Sequence, residues 1–142
     1  MIPPFNESGE LPPGVFVTDI DEIEAVLGVN SHRQKLIKGL RRALENLMEA
    51  GVHRVWINGS FVTSKNNPND VDGCWDPRDV DEDKLDPVLL DFSRGRAAMK
   101  ETYGVDFFPN VVEGVSGMLF YRFFQHNRDL EQKGILLIEV GG

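Results

Sequence analysis

The chain has 142 residues and a formal net charge of −8, from 23 acidic and 15 basic side chains. This length fits one domain, and the mixture of 41% apolar and 27% charged residues is that of an ordinary globular protein. The acidic excess argues against non-specific binding to nucleic acid or to an anionic membrane surface, but it is compatible with a nucleotide whose charge a metal ion offsets.

The cysteine content and the N-terminal sequence bear on location. The single cysteine, Cys74, cannot form an internal disulfide, which favours a cytoplasmic protein. The opening sequence MIPPFNESGELPPG lacks the basic stretch and apolar core of a signal peptide. No apolar run approaches the ~20 residues that span a bilayer. We therefore expect a cytoplasmic protein without a membrane segment.

The first part of the chain predicts an arm followed by two helices. Residues 1–17 are rich in proline and predict an extended N-terminal arm, which leaves residues 18–142 as a single domain. Residues 18–27 predict a short helix with Thr18 as its N-cap. Residues 31–50 predict a longer helix that ends before a glycine.

The longer helix has the clearest periodicity in the sequence. Its apolar residues recur at the three- and four-residue spacing of one helix face, and its charged residues, Arg33 among them, fall mostly outside that face. Ser31 and Gln34 have the spacing of a capping box, in which each side chain satisfies a free backbone donor. A strand over residues 52–58 follows, and its largely apolar sequence predicts burial on both faces.

The rest of the chain alternates between strands and helices. We predict strands over residues 71–75, 105–108 and 135–140, and helices over residues 81–92, 93–103 and 117–125. The helix over residues 81–92 is expected to be interrupted or to restart near Asp86-Pro87, because proline fits best in a first helical turn. This order of elements predicts an α/β (α+β) fold, a small mixed β-sheet flanked by helices. The last helix brings Phe120, Phe123 and Phe124 close together, which predicts a docking surface for a second copy of the chain or for a partner protein.

Candidate chemistry begins where the strand over residues 52–58 ends. Gly59 allows a sharp turn and a close approach of a ligand, and the Ser60 hydroxyl and the free amides of the turn are suited to phosphate oxygens. Asp70 and Asp72 then lie two residues apart at the start of the next strand, so their side chains share one face. Carboxylates in this arrangement, completed by substrate phosphates, suit Mg²⁺ or Mn²⁺.

A third carboxylate, Asp106, lies between Val105 and Phe107 in a later strand. A charged group between apolar residues of a buried strand is costly unless it is paired or bound to metal. If this strand neighbours the one that carries Asp72, the three carboxylates converge. Three carboxylates beside a phosphate-holding turn suit two-metal phosphoryl or nucleotidyl transfer.

These motifs resemble those of the DNA polymerase β-type nucleotidyltransferase superfamily, especially its minimal branch. The resemblance rests on Gly59-Ser60, Asp70-Val71-Asp72 and Val105-Asp106-Phe107, with a helix preceding the first motif. Roughly residues 30–110 carry it. With its LPPG start and KGILLIEV end, the whole chain also resembles a family of uncharacterised small bacterial and phage proteins related to these enzymes.

The resemblance implies a nucleotidyltransferase that moves a nucleoside monophosphate from an NTP to a protein or RNA hydroxyl. It implies catalytic and metal-binding roles for Asp70, Asp72 and Asp106. Nucleotide binding would fall to Gly59, Ser60 and Lys65, the only cation of the loop. In minimal members such activity often serves toxin–antitoxin pairs, which implies a partner protein.

Simpler interpretations remain open for each motif. Asp70 and Asp72 follow a strong turn sequence and would then be solvated, Asp106 would be a carboxylate at the surface end of a strand, and Lys65 would be a solvated loop residue. The loop lacks the arginine that many minimal members carry after Gly-Ser, and no large helical domain follows. The alternative function is therefore a non-catalytic protein of the same fold that binds a nucleotide or a partner protein.

Overall fold

The structure is a computed structural model that describes residues 1–110 and 133–140. Its elements in chain order are β1 (Gly14–Thr18), α1 (Ile20–Leu27), α2 (Ser31–Glu49), β2 (Arg54–Asn58), β3 (Val71–Trp75), α3 (Ser93–Tyr103), β4 (Val105–Pro109) and β5 (Gly134–Glu139). Short 3₁₀ turns occur at Gly59–Val62, Glu82–Lys84 and Pro87–Leu90. The docking surface predicted on residues 117–125 lies outside the described residues.

The five strands form one mixed sheet in the order β1-β5-β2-β3-β4. The two outer pairs, β1 with β5 and β3 with β4, are parallel, whereas β2 is antiparallel to both of its neighbours. The predicted α/β fold with a small mixed sheet and flanking helices is confirmed.

One face of the sheet forms the main core against the helices. In β2, Val55 and Ile57 are fully buried in this core, where the apolar face of α2 also packs. Phe107 in β4 belongs to the same face, because the register pairs Ile57 with Gly73 and Gly73 with Phe107. Side chains alternate along a strand, so the intervening positions face the other way.

The opposite face carries the polar positions of the three strands. The register aligns Asn58 of β2 with Asp72 of β3, and Asp72 with Asp106 of β4. Next to this row, Trp56 and Cys74 form a smaller apolar cluster together with β5. The predicted carboxylates thus lie on the sheet face that does not pack against the main core.

The N-terminal segment differs from the extended arm predicted over residues 1–17. Gly14–Thr18 is a strand of the sheet and pairs in parallel with β5, and Ile2 and Leu11 are buried in the core. The proline-rich sequence conceals this strand because the partner that fixes it lies more than a hundred residues later.

Both predicted helix caps are wrong by one residue. Asp19 rather than Thr18 caps α1, accepting a hydrogen bond from the Glu22 amide. Asn30 rather than Ser31 caps α2, accepting from the Arg33 amide at 2.8 Å. In both helices the residue immediately before the first helical residue has the β-region backbone that a cap requires.

The regular helix predicted over residues 81–92 does not form, whereas its predicted interruption near Asp86-Pro87 is confirmed. The chain instead makes the two short turns Glu82–Lys84 and Pro87–Leu90, each begun by an aspartate that accepts a backbone hydrogen bond. Pro87 provides no amide donor, so the first turn cannot continue into the second as one regular helix.

Helix α3 begins irregularly. Arg94, Gly95 and Arg96 all have positive φ, between 51° and 64°, before regular helix continues to Tyr103. Gly104, with φ 70°, ends the helix in the left-handed conformation that glycine favours there. Within residues 1–110 and 133–140, no helix is long and apolar enough to cross a membrane.

The loop between β2 and β3 is held by the start of α2. Arg33 is 1% exposed, and its guanidinium donates hydrogen bonds to the carbonyl oxygens of Phe61, Thr63 and Lys65 at 2.6 to 3.0 Å. Its guanidinium carbon also lies 5.3 Å from the centroid of the Phe61 ring. Burial lowers the pKa of Arg33. Arg33 is therefore buried by the loop, although it is a charged residue of α2.

Two neighbours of Arg33 hold the same loop further along. His32 Nε2 donates to the Pro68 carbonyl oxygen at 2.5 Å, and Asn30 Nδ2 donates to that of Asn66 at 2.8 Å. The first turn of α2 thus fixes the path of the chain from the Gly59-Ser60 turn to β3.

We predict that Arg33→Met lowers the free energy of unfolding by about 3 kcal/mol, because several loop carbonyl groups lose their donor. The matched control is Arg41→Met in the same helix, which loses exposed ion pairs with Asp21 and Glu24 and should cost less than about 1 kcal/mol. Urea unfolding measures both. Equal losses in the two variants would show that the buried guanidinium has no special structural role.

Candidate metal centre

Three carboxylates converge at one edge of the sheet. Asp72 in β3 and Asp106 in β4 are direct neighbours in the parallel register, and Asp70 immediately precedes β3. One oxygen from each of the three carboxylates lies within 4.8 Å of the other two, and all three residues are half-buried. The geometric prediction that these three residues converge is confirmed.

Gly59 is packed directly against this cluster. It has φ 74°, and a Cβ atom at this position would lie 2.1 Å from Asp72 Oδ2. The absence of a side chain therefore lets the turn after β2 lie against the Asp72 carboxylate. Both the left-handed backbone and the close approach require glycine.

Ser60 and Lys65 are placed differently. Ser60 lies in the Gly59–Val62 turn beside the cluster, and its carbonyl oxygen accepts a hydrogen bond from Thr63 Oγ1 at 2.6 Å. Lys65 is exposed, and its carbonyl oxygen accepts from Arg33. Among the residues that the structure describes, no ion pair joins Lys65 to the three carboxylates.

Two cations from α3 reach the carboxylates. Arg96 Nε lies 2.5 Å from Asp106 Oδ1, and Lys100 Nζ lies 3.7 Å from Asp106 Oδ2 and 3.9 Å from Asp70 Oδ2. The Arg96 guanidinium carbon also lies 5.0 Å from the centroid of the Phe108 ring. The sequence did not predict either cation. The position of Arg96 depends on the left-handed backbone at the start of α3, whereas Lys100 lies in the regular helix that follows. Their spacing, four residues apart on a predicted helix before Asp106, is the only local signal.

The third missed residue is Asn58. It is 1% exposed, it lies beside Asp72 on the same face of the sheet, and its Nδ2 group has no hydrogen-bond partner among the described residues. A buried amide without a partner carries a free-energy cost that a bound acceptor would remove. The sequence could have indicated Asn58 as a site residue, because it is a polar residue at the end of an otherwise apolar strand.

The electrostatics of the cluster are dominated by Asp72. Burial raises its pKa to about 7, and the neighbouring carboxylates Asp70 and Asp106 act in the same direction. Lys133, at the start of β5, opposes this rise but has its own pKa lowered by burial. Asp106 is paired with Arg96, which leaves Asp72 as the member of the cluster without a close cationic partner among the described residues.

The donor set fits a hard divalent cation. Carboxylate oxygens are the preferred ligands of Mg²⁺ and Mn²⁺, and a cation at this point would relieve the repulsion that raises the pKa of Asp72. Lys100 Nζ lies at the long end of ion-pair distance from both of its carboxylates, so its displacement by a metal would cost little. Asp70, Asp72 and Asp106 are the residues that would hold the ion.

We predict that Asp72→Asn changes how stability depends on pH in EDTA. The wild-type carboxyl has a pKa of about 7 when folded, against about 3.8 when unfolded, so the folded state binds the proton more tightly and stability falls as pH rises from about 4 to 7. At pH 8 the variant should therefore be more stable than the wild type by up to about 4 kcal/mol, and at pH 4 the two should be nearly equal.

Urea unfolding at several pH values measures this difference. Asp83→Asn, at an exposed carboxylate in the Glu82–Lys84 turn, is the control and should follow the wild type at every pH. A pH-independent difference between Asp72→Asn and the wild type would contradict the raised pKa.

We predict that Gly59→Ala is more damaging than Gly95→Ala. Both glycines have positive φ, but an added Cβ meets Asp72 at position 59 and nothing within 4 Å at position 95. Gly95→Ala should cost about 1 kcal/mol from backbone strain alone, and Gly59→Ala about 3 kcal/mol because the turn must also move away from Asp72. Thermal unfolding measures the stability of the two variants. Similar losses of stability would contradict the close packing of Gly59 against Asp72.

The comparisons with known proteins give a family without an assigned activity. Neither a curated protein nor a solved structure matches the chain. Residues 3–139 match the model of a family described as a family of unknown function, DUF6932. Because this match spans nearly the whole chain, the protein belongs to that family.

Proposed function

We propose that the protein is a Mg²⁺- or Mn²⁺-dependent nucleotidyltransferase that moves a nucleoside monophosphate from an NTP to a hydroxyl group of a protein or an RNA. The observation that supports this function best is the convergence of Asp70, Asp72 and Asp106 within 4.8 Å. The Gly59-Ser60 turn, packed against Asp72, adds a place for phosphate beside the carboxylates.

In this proposal each residue has a distinct task. Asp70 and Asp72 bind metal, and Asp106 binds metal and assists removal of the proton from the attacking hydroxyl. The bound metal would supply positive charge for the triphosphate and activate the attacking group. Gly59 and Ser60 would hold the triphosphate through the turn, and the exposed ammonium of Lys65 would meet its outer end.

Asn58 supports a bound acceptor group at this place. Its partnerless Nδ2 donor lies beside Asp72, at the end of the strand that leads into the Gly59-Ser60 turn. A phosphate or sugar oxygen would complete its hydrogen bonding. Donor and carboxylates together offer partners for both an anion and its counterion, which suits a metal-bound nucleotide better than a metal alone.

A non-catalytic protein that binds a nucleotide or a partner protein is the second candidate. Arg96 and Lys100 favour it, because they already neutralise Asp106 in the absence of metal. In that case the cluster is a structural ion-pair network, and metal-dependent turnover does not occur.

We predict Mg²⁺-dependent release of pyrophosphate from at least one of the four NTPs when total RNA or the protein itself is the acceptor. Asp72→Asn and Asp106→Asn should each reduce the rate by at least about 100-fold, because each removes a ligand of the metal that would stabilise the charged transition state. Asp83→Asn, which removes one exposed carboxylate, should retain the wild-type rate.

Thermal unfolding with and without Mg²⁺ and a non-hydrolysable NTP separates the two candidates. A ligand-induced shift in the wild type that Asp72→Asn abolishes, without any turnover, would establish the non-catalytic nucleotide-binding function. A shift that Asp72→Asn leaves unchanged would show that Asp72 does not bind metal.

A further inference from the structure

A basic groove lies between α2 and the C-terminal half of α3. It encloses about 460 Å³. Its lining includes five side chains that carry or can carry positive charge and one carboxylate: His32, Lys35, Lys38, Arg42, Lys100 and Glu101. In a chain with a net charge of −8, this local excess of positive charge is opposite in sign to the protein as a whole.

Lys100 pairs with Asp70 and Asp106, but the groove cations on α2 are not used for ion pairs among the described residues. Arg41, on the same helix, pairs with Asp21 and Glu24 outside the groove. Within the part of the chain that the structure describes, no salt bridge engages Lys35, Lys38 or Arg42. Clustered like charges without partners repel one another, so an anion placed between them would be stabilised.

The groove is shaped by backbone contacts. Gly39 in the middle of α2 lies so close to α3 that a Cβ atom would be 2.0 Å from the Tyr103 carbonyl oxygen. Arg42 is oriented by a hydrogen bond to the Thr102 carbonyl oxygen at 3.1 Å, and its guanidinium carbon lies 5.1 Å from the centroid of the Tyr103 ring. The groove is therefore largely preformed and needs little ordering to bind a ligand.

The spacing of the cations indicates a chain of phosphates. Lys35, Lys38 and Arg42 follow one edge of α2 over about 10 Å, at 1.5 Å per residue. This length exceeds a single phosphate group and suits successive phosphates of a polymer. We propose that the groove binds single-stranded nucleic acid through its phosphodiester backbone.

The groove adjoins the carboxylate cluster. Lys100 lines the groove and also pairs with Asp70 and Asp106, and Asn69, the residue before Asp70, lines it as well. A strand held along α2 would therefore be directed toward the candidate metal centre. The assignment goes beyond the proposed transfer reaction, because it names a ligand and a surface that the carboxylates alone do not require.

Binding at the groove requires neither metal nor nucleotide, so its test is independent of turnover. The probe is a fluorescein-labelled ten-nucleotide oligouridylate, with a DNA oligomer of the same length beside it, titrated with the full chain in EDTA at several salt concentrations. Binding followed by fluorescence anisotropy should weaken as salt rises, with a slope near −2 on logarithmic axes for about three phosphate contacts.

Lys35→Glu and Lys38→Glu should each weaken binding of the better oligomer by about tenfold, and the double variant should flatten the salt dependence by more than one unit of slope. Lys84→Glu makes the same charge change at an exposed lysine in the Glu82–Lys84 turn and should bind as the wild type. Circular dichroism of each variant confirms that the fold is retained.

Three results would overturn the assignment. These are absence of binding to both oligomers at low salt, equal weakening by Lys84→Glu, and complete competition by inorganic tripolyphosphate at the same phosphate concentration. The last result would assign the groove to a short polyphosphate instead of a polymer.

Discussion

The candidate site depends on one buried guanidinium. Arg33 is surrounded by carbonyl oxygens of the loop that follows the Gly59-Ser60 turn, and no carboxylate neutralises it among the described residues. An arginine presents several donors in a fixed planar geometry, so it can hold separate points of a loop at once. Without this anchor, the polar loop would have few interactions that fix the distance between the turn and Asp70.

Arg33 stabilises the fold through its hydrogen bonds, whereas the carboxylate cluster destabilises it. The members of the cluster repel one another, and this repulsion adds to burial in raising the pKa of Asp72 to about 7. Parallel pairing of β3 with β4 nevertheless holds Asp72 and Asp106 side by side. The sheet and the anchored loop thus impose a charge arrangement that costs stability in the absence of a cation. Such a conflict between local electrostatics and overall stability is typical of functional sites.

The sequence predicted the part of the site that follows from strand geometry. The two-residue spacing of Asp70 and Asp72 places both on one face, and the apolar neighbours of Asp106 indicate a strand. The contribution of α3 could not be predicted in this way. Arg96 reaches Asp106 because three successive residues adopt positive φ, and two of these are arginines, for which that conformation is uncommon.

The fold shows the same difference between elements that follow from local sequence and elements that depend on distant contacts. Helix α2 and strand β3 follow from local periodicity and were predicted closely, whereas β1 depends on a distant partner. The burial of Arg33 was not predicted, because helical periodicity describes only the side of a helix that meets the core, and a long polar side chain can be buried by a loop that folds over the helix end. Residues that act through such long-range contacts leave little trace in local sequence.

The position of β5 has a consequence for how the chain folds. Although β5 is the last strand in the sequence, it lies between β1 and β2 and pairs with both. Until it is inserted, β1 has no partner and one edge of β2 is open to other chains. Contacts that close over such a long stretch of sequence form slowly. On the ribosome, this sheet would therefore be completed only after the β5 segment had emerged, and a nascent chain that paused before then would expose its edges to aggregation or to chaperones.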